Sequence, residues 1–205
     1  MGKIFDAVDG KLADWILAQH VFFVATAPSG RGGHVNCSPK GGIETFRILG
    51  PRAVAYLDLV GSGAETIAHL RENGRIVVMF CAFAGPPRIV RLHGRGRVAQ
   101  LGEPAFDELY ERLGFAAVEA AEDGARSIVT VAVERIADSC GYGVPRMRFE
   151  GARTQQIDWL ESRLRNQGPN GVVDYSREEN AASIDGLPGI DPGKLPDRSE
   201  NLTAS

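Results

Sequence analysis

The sequence predicts a mainly β domain with flanking helices, closed as a barrel or a sandwich, and three observations carry that prediction. Short apolar or alternating runs recur between turn signals, from Val21 to Ala27 through to Ser127 to Ile136. Two or three helical periods interrupt them, too few for a chain of βαβ units. The 205 residues, 43% of them hydrophobic, are enough for one domain with a substantial core plus a tail.

Taken in order, Phe5 to Gln19 reads as a first helix, with Phe5, Val8, Leu12, Trp15 and Ile16 near helical spacing and Gly10 weakening it. Val21 to Ala27 is an apolar strand, and Pro28-Ser29-Gly30-Arg31-Gly32-Gly33 turns it into a hairpin partner. In that partner His34, Asn36, Ser38 and Lys40 alternate with Val35, Cys37 and Pro39, so one face is polar and ends in an ammonium. Pro39 places the strand at an edge or at its own end. Such a face suits either plain solvent or an anion and a flat polar ring. Thr45 to Leu49 is a further strand before Gly50-Pro51.

The centre of the chain runs from Ala53 to Arg97. A strand (Ala53 to Asp58) leads into Gly61-Ser62-Gly63-Ala64-Glu65-Thr66, one residue short of the G-x-G-x-x-G dinucleotide fingerprint. Thr66 replaces the third glycine, and Phe80 to Phe83 offers no acid for a ribose, which argues against a dinucleotide domain. Ser62 and Glu65 have the spacing of a capping box. The same turn could instead hold an anion on free N–H groups with the hydroxyls of Ser62 and Thr66, provided Glu65 turns away. Asn73-Gly74 ends the helix that follows.

Arg75 to Phe83 is a continuous apolar run, the pattern of a strand buried on both faces. Arg88 to Gln100 then alternates, with Arg91, His93, Arg95 and Arg97 on one face. Four cations in a row need anionic company, whether acidic neighbours, a partner subunit or a phosphate. Arg91 lies deepest, where an unpaired guanidinium is costly. Glu103 to Leu113 is helical, Ser127 to Ile136 a valine-rich strand, and Arg153 to Arg165 a polar helix. From Gln167 onward the chain is rich in glycine, proline and aspartate, a composition that wraps a partner or stays disordered.

A net charge of −3 gives no overall attraction to nucleic acid or to an anionic membrane. Three cysteines without metal spacing point to reduced thiols in a cytoplasmic protein, and neither a signal peptide nor a membrane span is visible. The four histidines lie far apart, and no nucleophile or metal motif stands out. Any chemistry is then most naturally carried by an organic cofactor.

Several motifs together resemble the pyridoxamine 5'-phosphate oxidase-like family. They are Val35-Asn36-Cys37-Ser38-Pro39-Lys40-Gly41, Tyr56-Leu57-Asp58 with the glycine turn, His69 to Arg75, and Arg91-Leu92-His93-Gly94. A branch of that family also carries Ser139-Cys140-Gly141-Tyr142-Gly143-Val144-Pro145 and Ser183-Ile184-Asp185-Gly186-Leu187-Pro188, and the likeness covers roughly Gln19 to Pro188.

The resemblance implies a six-stranded split β-barrel, assigned to residues 1–139, followed by an extension over 140–190 that packs on the barrel or on a partner; the composition of the tail leaves 191–205 disordered. It implies a homodimer with FMN at the subunit interface and a small-molecule substrate. Asn36 and Ser38 would border the flavin ring, and Lys40, Ser62, Gly63, Thr66 and Arg91 would hold the ribityl and phosphate end. Two departures argue against vitamin B6 oxidation. Glu65-Thr66 stands where the true oxidase has a basic pair, and Leu195-Pro196-Asp197-Arg198 offers no counterpart to its terminal arginine segment. The alternatives are a deazaflavin-dependent reductase, with Arg95 and Arg97 serving a longer acidic cofactor, and a non-catalytic flavin carrier or sensor.

Overall fold

The computed structural model describes residues 2–199. Its centre is one antiparallel sheet of eight strands: β1 (Ile4–Phe5), β2 (Val21–Thr26), β3 (Asn36–Gly41), β4 (Phe46–Gly50), β5 (Ala53–Leu59), β6 (Arg75–Cys81), β7 (Ile89–Gln100) and β8 (Ala125–Ser139). The resemblance implies six strands; of the eight present, one is the two-residue β1. The pairing order is β3-β2-β6-β7-β8-β5-β4, with β1 added to β8, so β3 and β4 are the edges. Pro39, which lacks an N–H to donate, therefore sits on an edge strand as expected.

The sheet curls until its two ends meet. Phe46 of β4 lies 5.3 Å from Phe22 of β2 and 5.2 Å from Phe80 of β6, measured between ring centroids. Alternation dictates which side chains fill the interior: Phe22, Val24, Val78, Phe80, Val90 and Leu92 are fully buried. The result is a mixed β fold, a curled antiparallel half-barrel with helices.

Helix α1 (Gly10–Leu17) is shorter than the sequence predicts, because Ile4 and Phe5 pair with Ala137 and Ile136 of β8 instead of continuing it. Gly10, at φ +43°, starts the helix instead of interrupting it. β6 also departs from expectation. Ile76, Val78 and Phe80 are buried, but Val77 and Met79 on the other face are half-exposed, so only one of its faces is covered within this chain.

Helix α2 (Glu65–Glu72) lies against β7, where Gly96 makes room for it; a Cβ there would meet Leu70 at 2.8 Å. The helix ends at Asn73, and Gly74 follows at φ +71°, the left-handed stop that Asn73-Gly74 signals. Helices α3 (Pro104–Arg112) and α4 (Ala121–Gly124) close a second apolar cluster around Phe106, Phe115 and Ile128.

The C-terminal region overturns part of the sequence reading. Besides α5 (Gln155–Gln167) it contains α6 (Gly171–Glu179), whose Val172 and Val173 are buried. Helices α5 and α6 join through Trp159 and Tyr175, at 4.9 Å in an edge-to-face contact. The following chain then docks on its own barrel: Ile190 and Leu195 pack on Ile67, and Arg198 pairs with Asp123. Residues 191–199, expected to be disordered, are thus held by apolar burial that composition alone does not reveal; residues 200–205 lie outside the described residues.

Candidate cofactor cleft

The cleft is organised by a buried carboxylate on β5. Asp58 shares the face of Tyr56 on the strand and pairs across the sheet with Ser127. Its Oδ2 accepts from Arg126 Nε at 2.8 Å and its Oδ1 from Lys40 Nζ at 2.5 Å. Lys40 belongs to edge strand β3, so this ion pair spans the seam where the curled sheet comes round on itself. Burial pushes the Asp58 carboxyl up, but the pull of Arg126 and Lys40 outweighs it and holds the group at about 2.

Arg126 also shapes the glycine turn. Its Nη1 donates to the carbonyls of Gly61 at 3.2 Å and Gly63 at 2.8 Å. Asn180, the residue that ends α6, donates to the same two carbonyls at 3.0 and 3.4 Å. Gly63 stands at φ +79°, a conformation that disfavours any side chain. The turn is thereby fastened from the barrel on one side and from the C-terminal extension on the other.

On β3 the polar face forms as the alternation predicts, with Asn36, Ser38 and Lys40 half-buried and Cys37, Pro39 and Gly41 exposed. The Asn36 amide donates to Thr66 Oγ1 at 3.0 Å, and Ser38 Oγ donates to Asn36 Oδ1 at 3.1 Å. Thr66 is itself buried, so it positions Asn36 and does not line the cleft.

Two cavities flank Ser62. One, of about 340 Å³, lies between Ser38 and Lys40 on one side and Leu57, Leu59 and Arg126 on the other. The second, of about 360 Å³, is lined by His34, Asn36, Gly63, Glu65 and Ile184. The charges differ in sign: Lys40 and Arg126 line the first, Glu65 the second. A third cavity, of about 630 Å³, adjoins the first at Gly41, Thr45, Leu59 and Gln156.

The structure therefore places Ser38, Lys40 and Ser62 on the first cavity and Asn36, Ser62 and Gly63 on the second, with Thr66 immediately behind Asn36. Arg91 is elsewhere. It sits in β7 on the sheet's outer face, opposite Met79 and Ala137, and its Nη1 donates to Ser139 Oγ at 3.1 Å. Ser62 does not cap α2. The cap position is Ala64, and the Glu65 carboxylate folds back over Gly63 while accepting from the Ile184 N–H at 3.2 Å. That carboxylate, facing the cleft, disfavours an anion at the start of α2. Arg95 pairs with Glu134 and donates to the Asn73 carbonyl, and Arg97 is exposed on the same outer face; neither stands at the cleft mouth.

Sequence reasoning missed Asp58, Arg126, Gln156 and Asn180 as parts of the site. The available signal was an acid inside an apolar strand, Tyr56-Leu57-Asp58-Leu59-Val60, since a buried carboxylate demands a cation. Nothing in the sequence names Arg126 as that cation, because the pairing depends on strand register.

Comparison with known proteins gives a consistent result. The family model described as pyridoxamine 5'-phosphate oxidase matches residues 8–140. A pyridoxamine 5'-phosphate oxidase family protein of Aspergillus flavus, ustO, is 37% identical over 202 residues, covering 93% of this chain and 78% of that protein. Among solved structures, an FMN-binding protein of Syntrophomonas wolfei is 16% identical over 65% of this chain and 83% of its own, at a TM-score of 0.46. The heme storage protein HutZ of Vibrio cholerae is 11% identical over 66% of this chain and 97% of its own, also at 0.46.

Proposed function

The chain belongs to the pyridoxamine 5'-phosphate oxidase family, and from that membership we propose that it is an FMN-binding oxidoreductase, a split-barrel homodimer acting on a small molecule. The observation that carries the proposal is the polar face of β3 set across from the β5 exit turn, with Lys40 fixed between them.

Flavin mononucleotide requires cations at its phosphate, polar groups along its ribityl chain and an apolar bed for its ring. The residues around the first cavity fit those needs: Lys40 with Arg126, the hydroxyls of Ser38 and Ser62, and Leu57, Leu59 and Val60. At about 340 Å³ this cavity is at the small end of ligand sites, which run roughly 300–1,000 Å³.

When bound, FMN supplies hydride transfer at its ring. Lys40 holds the phosphate end, the buried Asp58 keeps the ammonium aimed, and Arg126 adds positive potential from below. Asn36 orients the Ser38 hydroxyl, and Thr66 in turn orients Asn36. Glu65 would keep an anion off the N-terminus of α2, leaving Lys40 as the residue that would hold the phosphate.

The homodimer is part of the same reading. The outer face of β2, β6 and β7 carries the half-exposed Phe23, Val77, Met79 and Ile89, an apolar surface suited to a second copy. Arg91 lies in the same row as Phe23 and Met79, on the face proposed for the partner. The free thiols of Cys37, Cys81 and Cys140 suit a reducing compartment, and no described helix is long and apolar enough to cross a membrane.

Fluorescence titration with FMN tests the proposal. Saturable quenching is expected, and Lys40→Ala should weaken it roughly 10- to 100-fold, the scale of a lost charged hydrogen bond. Asp58 keeps Arg126 in that variant, so the fold survives. An unchanged dissociation constant would remove Lys40 from the site. Bound flavin that NAD(P)H and oxygen cannot turn over would identify a carrier instead of an enzyme.

A further inference from the structure

The third cavity, about 630 Å³, lies beside the proposed flavin cleft and shares Gly41, Thr45, Leu59 and Gln156 with it. It is built from two parts of the chain. The barrel supplies Val21, Ile43, Leu59 and Val118 as an apolar inner wall; residues 149–154, an exposed strap leading into α5, and the first turn of α5 supply the outer wall.

The strap is held at both ends of the cavity. Phe149 stacks on His20 with ring centroids 3.7 Å apart and planes 6° from parallel, and Gln156 Nε2 donates to the Val60 carbonyl at 2.9 Å. The far wall includes Ala120 at φ +63°, the one non-glycine residue with positive φ among the described residues. Such a conformation is sterically unfavourable for an L-residue and recurs at functional sites.

The lining also has a charge preference. Glu44 and Glu119 enter from separate segments of the barrel side, and Arg153 alone opposes them from the strap. The flavin cleft next door has the opposite balance, with Lys40 and Arg126 around Asp58. An anionic ligand is therefore favoured on the cofactor side and disfavoured here.

We propose that this cavity is the substrate pocket and that it takes a largely apolar, ring-bearing amine without phosphate. As a substrate pocket it rests on the flavin reading above; as a binding site it stands on its own lining. The apolar inner wall receives the ring, while Glu44 and Glu119 receive the ammonium. An amine held this way lies beside Leu59 and Thr45, the residues through which the two cavities connect.

Two probes that share a ring and differ in charge test the idea: tryptamine and indole-3-propionate, titrated calorimetrically into the full chain with and without FMN. Tryptamine should bind saturably and at least about tenfold more tightly than the carboxylate. Ala152→Trp, on the exposed strap, should abolish binding of both by filling the pocket from the strap side while leaving every barrel residue unchanged. Glu44→Gln with Glu119→Gln should erase the preference and leave the ring bound.

Absence of saturable binding, preference for the carboxylate, or indifference to Ala152→Trp would each overturn the proposal. If FMN binds and tryptamine does not, the pocket assignment fails and the flavin reading stands. If tryptamine binds and FMN does not, the reverse holds.

Discussion

The two flanks of the Gly61-Ser62-Gly63 turn carry ion pairs of opposite kind. On the barrel side Asp58, Arg126 and Lys40 form a triad whose carboxylate is 1% exposed. On the tail side His34 Nδ1 meets Asp185 Oδ1 at 2.7 Å, but the histidine side chain is 70% exposed. Both contacts bring distant segments together at a similar distance. Burial decides what each contributes: removing one member of a buried set strands the others without water, whereas an exposed pair exchanges one solvation for another.

The sharpest way to break this comparison is Asp58→Asn. It leaves Lys40 and Arg126 facing a neutral amide across the seam of the sheet, and a loss of about 3–5 kcal/mol is expected, read from urea unfolding midpoints. A loss close to zero would mean that solvent reaches the triad and that the two flanks do not differ. The sign with pH follows from the lowered pKa. The Asp58 carboxyl titrates at about 2 in the fold against an ordinary 3.8. Its contribution is therefore complete above pH 4 and disappears as pH falls through about 2, on the order of 2 kcal/mol in all. Asp58→Asn should flatten that part of the acid-unfolding profile.

Asn180→Ala probes what fastens the turn from the extension. Asn180 is fully buried, and its amide serves both turn carbonyls, which Arg126 also serves. Because the carbonyls keep a donor, the expected loss is about 1–2 kcal/mol, smaller than for Asp58. Hydrogen exchange should quicken through residues 181–195 and leave β7 and β8 unchanged. Faster exchange in the strands as well would show that the extension and barrel unfold as one unit.

These two residues also mark how far the sequence was legible. Strand alternation identified the polar face of β3 and the inner face of β7, since a period of two needs no knowledge of neighbours. The glycine turn and the end of α2 were equally readable from Gly63 and Asn73-Gly74. Three things were not. Glu65 and Ser62 have capping-box spacing, but the chain begins its helix two residues later than the box requires and sends Glu65 to the Ile184 N–H. Arg126 meets Asp58 only because β5 and β8 pair in one register. Helix α6 and residues 191–199 are polar in composition and are held by a few buried anchors, Val172, Val173, Ile190 and Leu195, which no local period announces.

The smallest effect is expected on the exposed flank, and its smallness is the point of the measurement. His34→Ala removes the partner of Asp185 together with a contact to the loop that follows Ser183. The backbone N–H of residue 34 still donates to Asp185 Oδ2, at 2.8 Å in the wild type, so the loop keeps one of its two ties. The urea midpoint should not move measurably, and exchange should rise only at residues 183–187. Hydrogen bonds from the His34 side chain and backbone hold the Asp185 carboxyl below the usual carboxylate range, so its share persists above the ordinary aspartate value and is lost only as pH falls below it. A clear drop in the midpoint on replacing His34 would place this pair in the same class as the Asp58 triad, and exposure would then not be what separates the two flanks.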